Sequence, residues 1–199
     1  MTFCPGTYYT HILDWLPNNQ FKPTLDTLKA LGLEFAFGID TDFNCPGHGN
    51  CIRDMMFFGV HDANPFFAES DLYLLKRPYF ALALMDASDE YVACLIAHWD
   101  ITSCPTTARV VIDSVEAPQK YTSILFEVIE SMLMYLWLTE EEGEIFGDLK
   151  DKASVELIVY EAMLHSDHIT ALEDRGYSKI TTPCTDSTEI LSKNLVFRV

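Results

Sequence analysis

A mixed α/β fold, with a mostly antiparallel central sheet and helices on both faces, is predicted from three observations. Two strand-like runs, Tyr79–Met85 and Tyr91–Trp99, flank the turn-former cluster DASDE at hairpin spacing. A third such run, Ala108–Val115, gives way after Pro118 to apolar residues at helical spacing. Strand and helix signals then alternate to the end of the chain, the pattern of helices packed on a sheet.

Each element has its own reason. Lys22–Gly38 reads as a short helix, with Pro23 at its start, Leu25, Leu28 and Leu31 at helical spacing, and Gly32 as a left-handed stop. Ile39–Asn64, rich in Gly, Pro, Asn and Asp, reads as an irregular region with one short strand, MMFFGV. In Tyr91–Trp99, the residues Tyr91, Ala93, Leu95, Ala97 and Trp99 share one face; Val92, Cys94, Ile96 and His98 share the other. Both faces are largely apolar, so this strand is central, and His98 reads as a hydrogen-bonded core histidine. Beyond Pro118, the residues Ile124, Leu125, Val128, Ile129, Met132, Leu133 and Leu136 form an amphipathic face, with Glu127, Glu130 and Ser131 toward solvent. An acidic connection, Thr139–Lys152, leads to a strand at Val155–Tyr160. A helix follows with Ser166 as its N-cap and Gly176 as its stop, and then two final strands.

Composition narrows the function classes. The 199 residues suit one domain, with residues 1–75 a helix and loop region packed on a core formed by residues 76–199. A hydrophobic fraction of 49% argues for a packed core and against disorder. No long uncharged apolar run is present, and the start MTFCPGTYYT lacks the regions of a signal peptide, so neither membrane span nor secretion is expected. Six cysteines scattered without close pairing fit reduced thiols in a cytoplasm. The charge is −17, from 13 Lys+Arg against 30 Asp+Glu. Such a field repels nucleic acid and anionic membranes and favours basic partners, although it also serves solubility alone.

The join between the third strand and its helix reads VEAPQKYTSIL, from Val115 to Leu125. Over Tyr79–Val199 the element order and this join resemble the GNAT superfamily of N-acetyltransferases. That resemblance implies an acyl-CoA N-acyltransferase-like fold in which a strand–turn–helix holds acetyl-coenzyme A. The family pattern there is Val-x-Pro, two residues, then Arg/Gln-x-x-Gly-x-Gly/Ala. Laid on it, Val115 matches the valine, Lys120 the Arg/Gln, Ser123 the first small residue and Leu125 the second. By the same resemblance Val115, Gln119, Lys120, Tyr121, Thr122 and Ser123 surround the cofactor pyrophosphate. Bare amide N–H groups and the helix dipole favour an anion at such a helix start.

Glu116 is then the candidate base that deprotonates an amine, or else a helix cap or solvent-facing carboxylate. Tyr160 supplies a nearby hydroxyl, as does Tyr177. The implied reaction is direct attack of an amine, free or on a basic protein, on the thioester. Three positions depart from the pattern. Leu125 puts bulk where a glycine permits close approach, Pro118 lies one place late, and Leu172 stands where the family often carries a tyrosine before the pair matched by Gly176-Tyr177. The alternative is therefore a non-catalytic acidic binding or structural protein on the same scaffold, such as a viral accessory protein, a virion component or an inhibitor of a basic partner.

Other constellations are weaker. Cys45, His48 and Cys51, with His61 beyond, are zinc-ligand types without paired-knuckle spacing, so they read as a loop with free thiols and no metal site. His165 and His168 share a helix face and read as capping, exposed residues. Glu140–Glu144 with Asp148 and Asp151 is a solvated loop or an attractor of basic groups. No Gly-x-Ser-x-Gly elbow is present.

Overall fold

The computed structural model describes residues 7–9, 22–40, 79–88, 90–100, 105–139, 152–161, 164–181 and 189–196. In chain order these form β1 (Thr7–Tyr9), α1 (Lys22–Leu31), β2 (Glu34–Asp40), β3 (Tyr79–Met85), β4 (Tyr91–Asp100) and β5 (Thr107–Glu116). Then follow α2 (Gln119–Thr139), β6 (Ser154–Tyr160), α3 (Ser166–Asp174), β7 (Ser178–Thr181) and β8 (Glu189–Val196). All the strands join one sheet in the order β1-β2-β3-β4-β5-β6-β8-β7. Every pairing is antiparallel except β5 with β6.

The expected hairpin of β3 and β4 is present, and Asp86 closes its turn. Its Oδ1 accepts from the backbone N–H of Ser88 at 2.8 Å and of Glu90 at 3.3 Å. β4 takes the central place its two apolar faces call for. One strand went unforeseen. Glu34–Gly38, taken with the helix, and Ile39–Asp40, taken with the irregular region, form β2 and pair along the whole of β3. The helix stops at Gly32, which sits at φ 65°; its N–H reaches Lys29 O, and Leu33 N–H reaches Leu28 O. That C-terminal cap turns the chain directly into a strand. The expected strand at MMFFGV and the acidic run Glu140–Glu144 lie outside the described residues.

α2 spans the core. Leu125, Phe126, Val128, Ile129, Met132 and Leu133 are fully buried against β3, β4, α1 and α3. The foreseen stripe omitted Phe126, whose ring meets Tyr177 edge-on at 5.6 Å. α3 ends as Gly32 ends α1: Gly176, at φ 87°, donates to Glu173 O and Tyr177 to Leu172 O. Its start differs from expectation. Ser166 is the first helical residue, and the capping position falls on His165, which makes no side-chain cap.

A second correction concerns the polar side of α2. Glu130 does not face solvent; its side chain is 13% exposed and gathers three partners. Arg175 Nη2 donates to it at 2.9 Å, Lys193 Nζ at 2.8 Å and the Tyr177 hydroxyl at 3.2 Å. Arg175 also reaches Glu127 at 3.2 Å. Burial first, and then the Glu130 charge, push the Tyr177 phenol well above its ordinary range. This cluster ties α2, the end of α3 and β8 together, which no helical period on α2 alone reveals.

Two stability outcomes follow from these contacts. Glu130→Gln is expected to lower the unfolding free energy by about 1.5–3 kcal/mol in urea titration, the worth of a hydrogen bond to a charged group. Gly176→Ala, with no atom near the added Cβ, should cost about 1–2 kcal/mol from backbone conformation alone.

Candidate functional site

The local geometry begins with a slip in the two-residue period of β5. Ala108, Val110 and Ile112 are buried in the core shared with α2, and Val115 and Ala117 rejoin it. Between Ile112 and Val115 stand two residues, Asp113 and Ser114, where a regular strand has an even rhythm. The pairing with β4 shows the same slip: Ile96 opposes Ser114 and Ala97 opposes Ile112, so Asp113 is the extra residue of a β-bulge. Asp113 thereby turns to the face away from α2. There its Oδ2 lies 2.6 Å from His98 Nδ1, which bears out His98 as a hydrogen-bonded core histidine.

The bulge coincides with the end of the parallel ladder. Pairing of β5 with β6 runs from Thr107↔Ser154 to Ile112↔Val159 and stops. β5 continues to Glu116 while β6 ends at Tyr160. The strands therefore part beyond the bulge, and α2 starts at the same end. The first backbone N–H groups of a helix have no intrahelical acceptor, and the dipole there favours negative charge.

The structure sorts the sequence-predicted residues around this join. Gln119, Lys120 and Ser123 are exposed together on one side of the first turn of α2. Lys120 Nζ lies 4.4 Å from the centre of the half-buried Tyr121 ring. Thr122 is turned inward and buried, with its Oγ1 donating to Pro118 O at 3.4 Å. Val115 packs against the core. Leu125, expected to obstruct the turn, is fully buried, two residues and so about 200° around the helix from exposed Ser123. The open side of the turn is thus polar and carries one small side chain.

Glu116 lies on the bulge-side face, opposite Cys94 in the ladder. The Cys94 thiol is pushed up to about 12, by burial first and then by the Glu116 charge. Tyr160 is 38% exposed at the end of β6. By strand alternation it shares the bulge-side face with Asp113 and Glu116. Tyr177 is not available at this end, because its hydroxyl is engaged with Glu130.

His168 departs from the expected exposed position. It is 5% exposed, and its Nε2 donates to Ala117 O at 2.7 Å, tying the first turn of α3 to the β5–α2 join. With Nε2 as donor, Nδ1 of a neutral ring is an acceptor, and this Nδ1 is buried without a hydrogen-bond partner. His165 is exposed as expected, and its ring meets that of His168 edge-on at 5.4 Å. Ala117 belongs to no ladder pair, so its carbonyl needs a partner from elsewhere in the fold. The candidate zinc ligands Cys45, His48, Cys51 and His61 lie outside the described residues; among the described residues no cluster of metal-ligating side chains forms. No helix among the described residues is long and apolar enough to cross a membrane.

Sequence reasoning missed Asp113 and the inward place of His168. A signal for the bulge existed: buried apolar residues recur at Ala108, Val110 and Ile112, then resume at Val115 and Ala117 with an odd step between. No signal marked His168, whose partner is a backbone carbonyl 51 residues away.

The fold is GNAT-like. A mixed, mostly antiparallel sheet carries a hairpin, a strand that parts from its parallel neighbour, the helix that follows it, and a closing antiparallel strand pair. No protein-family model and no curated protein sequence matches the chain. Among solved structures it is similar to Tetrahymena GCN5, at 10% identity over 79% of this chain and 94% of that one, with a TM-score of 0.48. It is similar as well to a spermidine N-acetyltransferase from Vibrio cholerae in complex with CoA and spermine, at 12% identity over 80% and 95%, TM-score 0.42. A third is a putative acyl-CoA N-acyltransferase from Klebsiella pneumoniae, at 11% identity over 81% and 97%, TM-score 0.40.

Two outcomes test this geometry. His168→Ala strands the Ala117 carbonyl and is expected to cost about 1–3 kcal/mol in denaturant unfolding. Cys94 keeps its proton longer folded than unfolded, from its ordinary 9.0 up to about 12. Its stabilising contribution is therefore complete below the lower value and is lost as pH rises through that window. The urea midpoint should fall over this range, and fall less in Cys94→Val.

Proposed function

We propose that the chain is an acyltransferase that moves an acetyl or related acyl group from acyl-coenzyme A to an amine. The observation that carries this reading is the parting of β5 from β6 directly beside the open, polar first turn of α2. A gap between parallel strands can accept an extended thioester arm, and the helix start can accept its phosphates. The residues fit the cofactor in three respects. Lys120 is an exposed cation on that turn, Ser123 is small, and Leu125 is packed away from it. The buried acceptor on His168 Nδ1, beside the join, adds a polar atom that a ligand N–H can satisfy.

On this reading Gln119, Lys120 and the backbone of Tyr121–Ser123 hold the pyrophosphate. Bound acyl-coenzyme A supplies an activated thioester, and backbone at the end of β5 near Val115 polarises its carbonyl. The acceptor meets the bulge-side face, where Asp113 and Glu116 favour a cation. Glu116 and Tyr160 are the proton-transfer candidates there. Amine attack within a complex of both substrates needs no covalent intermediate on the protein.

The chain's charge of −17 and the apolar Leu172 support a second reading, a non-catalytic acidic protein that docks on a basic surface. Calorimetry with acetyl-coenzyme A separates the two. Acyl transfer expects saturable heat and a ligand-dependent rise in Tm. Lys120→Glu should weaken binding by about tenfold or more, as expected for a lost charge-assisted hydrogen bond to phosphate. Absence of both heat and Tm rise at about 1 mM ligand leaves the docking protein.

A further inference from the structure

Resting on the acyl-transfer reading, we propose that His98 and Asp113 form its proton-accepting pair, with His98 taking the proton from an ammonium acceptor and Asp113 positioning the ring. Asp113 is the first residue of β5 beyond the last β5–β6 ladder pair, so the pair stands where the strands part. The bulge turns it toward β4, where His98 sits two ladder positions from Ile96 on the same face. The distance of 2.6 Å, with side chains 10% and 18% exposed, describes a well-made bond at the edge of the packed interior.

The chemistry follows from the bond. A carboxylate only accepts, so Nδ1 carries the hydrogen and Nε2 carries the lone pair. Asp113 holds the ring in that tautomer and stabilises the imidazolium that forms on proton uptake. Imidazole is the side chain that gains and loses a proton near neutrality, whereas a carboxylate is a weak base toward an ammonium. Glu116 therefore attracts the cationic acceptor, and His98 deprotonates it. Other groups on this face are Cys94 on β4, Tyr160 on β6, and the Arg109–Glu156 pair joining β5 to β6.

The step balances as follows. An acceptor R–NH3+ gives one proton to Nε2 of His98, and its freed electron pair forms the C–N bond to the thioester carbonyl carbon. The C–S bond breaks with its pair on sulfur. A second proton from the nitrogen ends on that thiolate, and His98 returns the first to water.

The test compares wild type with His98→Asn, Asp113→Asn and Glu116→Gln. His98→Asn keeps an N–H toward Asp113 while removing the base. Acetyl-coenzyme A binding is measured by calorimetry and folding by thermal melts. Thiol release is followed with two probe acceptors: 1,3-diaminopropane, an ammonium at neutral pH, and aniline, which is not. With the diamine, His98→Asn is expected to lower kcat by about 10²-fold or more, with acetyl-coenzyme A affinity unchanged. Asp113→Asn should lower kcat in the same direction, and Glu116→Gln should act mainly by raising KM for the diamine. With aniline the loss at His98 should shrink to a few-fold, because no proton need leave before attack. Equal losses with both amines, no loss, or failure of both pair variants to fold would overturn the proposal. So would a wild type that binds acetyl-coenzyme A but acetylates neither amine. A wild type that does not bind acetyl-coenzyme A instead overturns the acyl-transfer reading itself.

Discussion

Asp113 and Ser114 occupy the space between two core-facing residues of β5, and the strand cannot absorb that slip without bulging. The rest of the site depends on it. The bulge lets Ile112 stay in the core beneath α2 while Val115 and Ala117 return to it after the slip. It also marks where β5 leaves β6, so the strands part at one defined point rather than fraying. Without it, Asp113 could not face His98 with the apolar register kept on both sides.

The second constraint is α2, which must be apolar on most of its circumference to serve β3, β4, α1 and α3 at once. That demand takes Leu125 into the core and leaves the exposed side of the first turn to Gln119, Lys120 and Ser123. Charge on the remaining side of α2 is then matched internally. Glu130 collects Arg175, Lys193 and the Tyr177 hydroxyl, which fastens the end of α3 and β8 to the helix. At the other end of α3, His168 holds the Ala117 carbonyl. The join is thereby gripped on both sides, by the helix that follows it and by the helix across the gap.

Much of this was legible in the chain because its signals are local. The β3–β4 hairpin declares itself through DASDE, and Asp86 closes the turn with its own side chain. Gly32 and Gly176 end their helices because only a left-handed residue makes that cap cheaply. The change of period at Pro118 placed the strand–helix join. β2 was harder to see, since a capped helix runs into it after only Gly32 and Leu33.

Local periodicity and turn chemistry thus determined the element order, the central place of β4 and the site of the join, because each is encoded within a few residues of where it acts. Tertiary structure decided which polar residues meet. Asp113 reaches His98 15 residues away, Glu130 reaches Lys193 63 away, and His168 reaches Ala117 51 away. Such contacts follow from strand order and helix packing. A buried carboxylate or carbonyl takes whatever donor the fold brings near it, and no nearest-neighbour rule names that donor in advance.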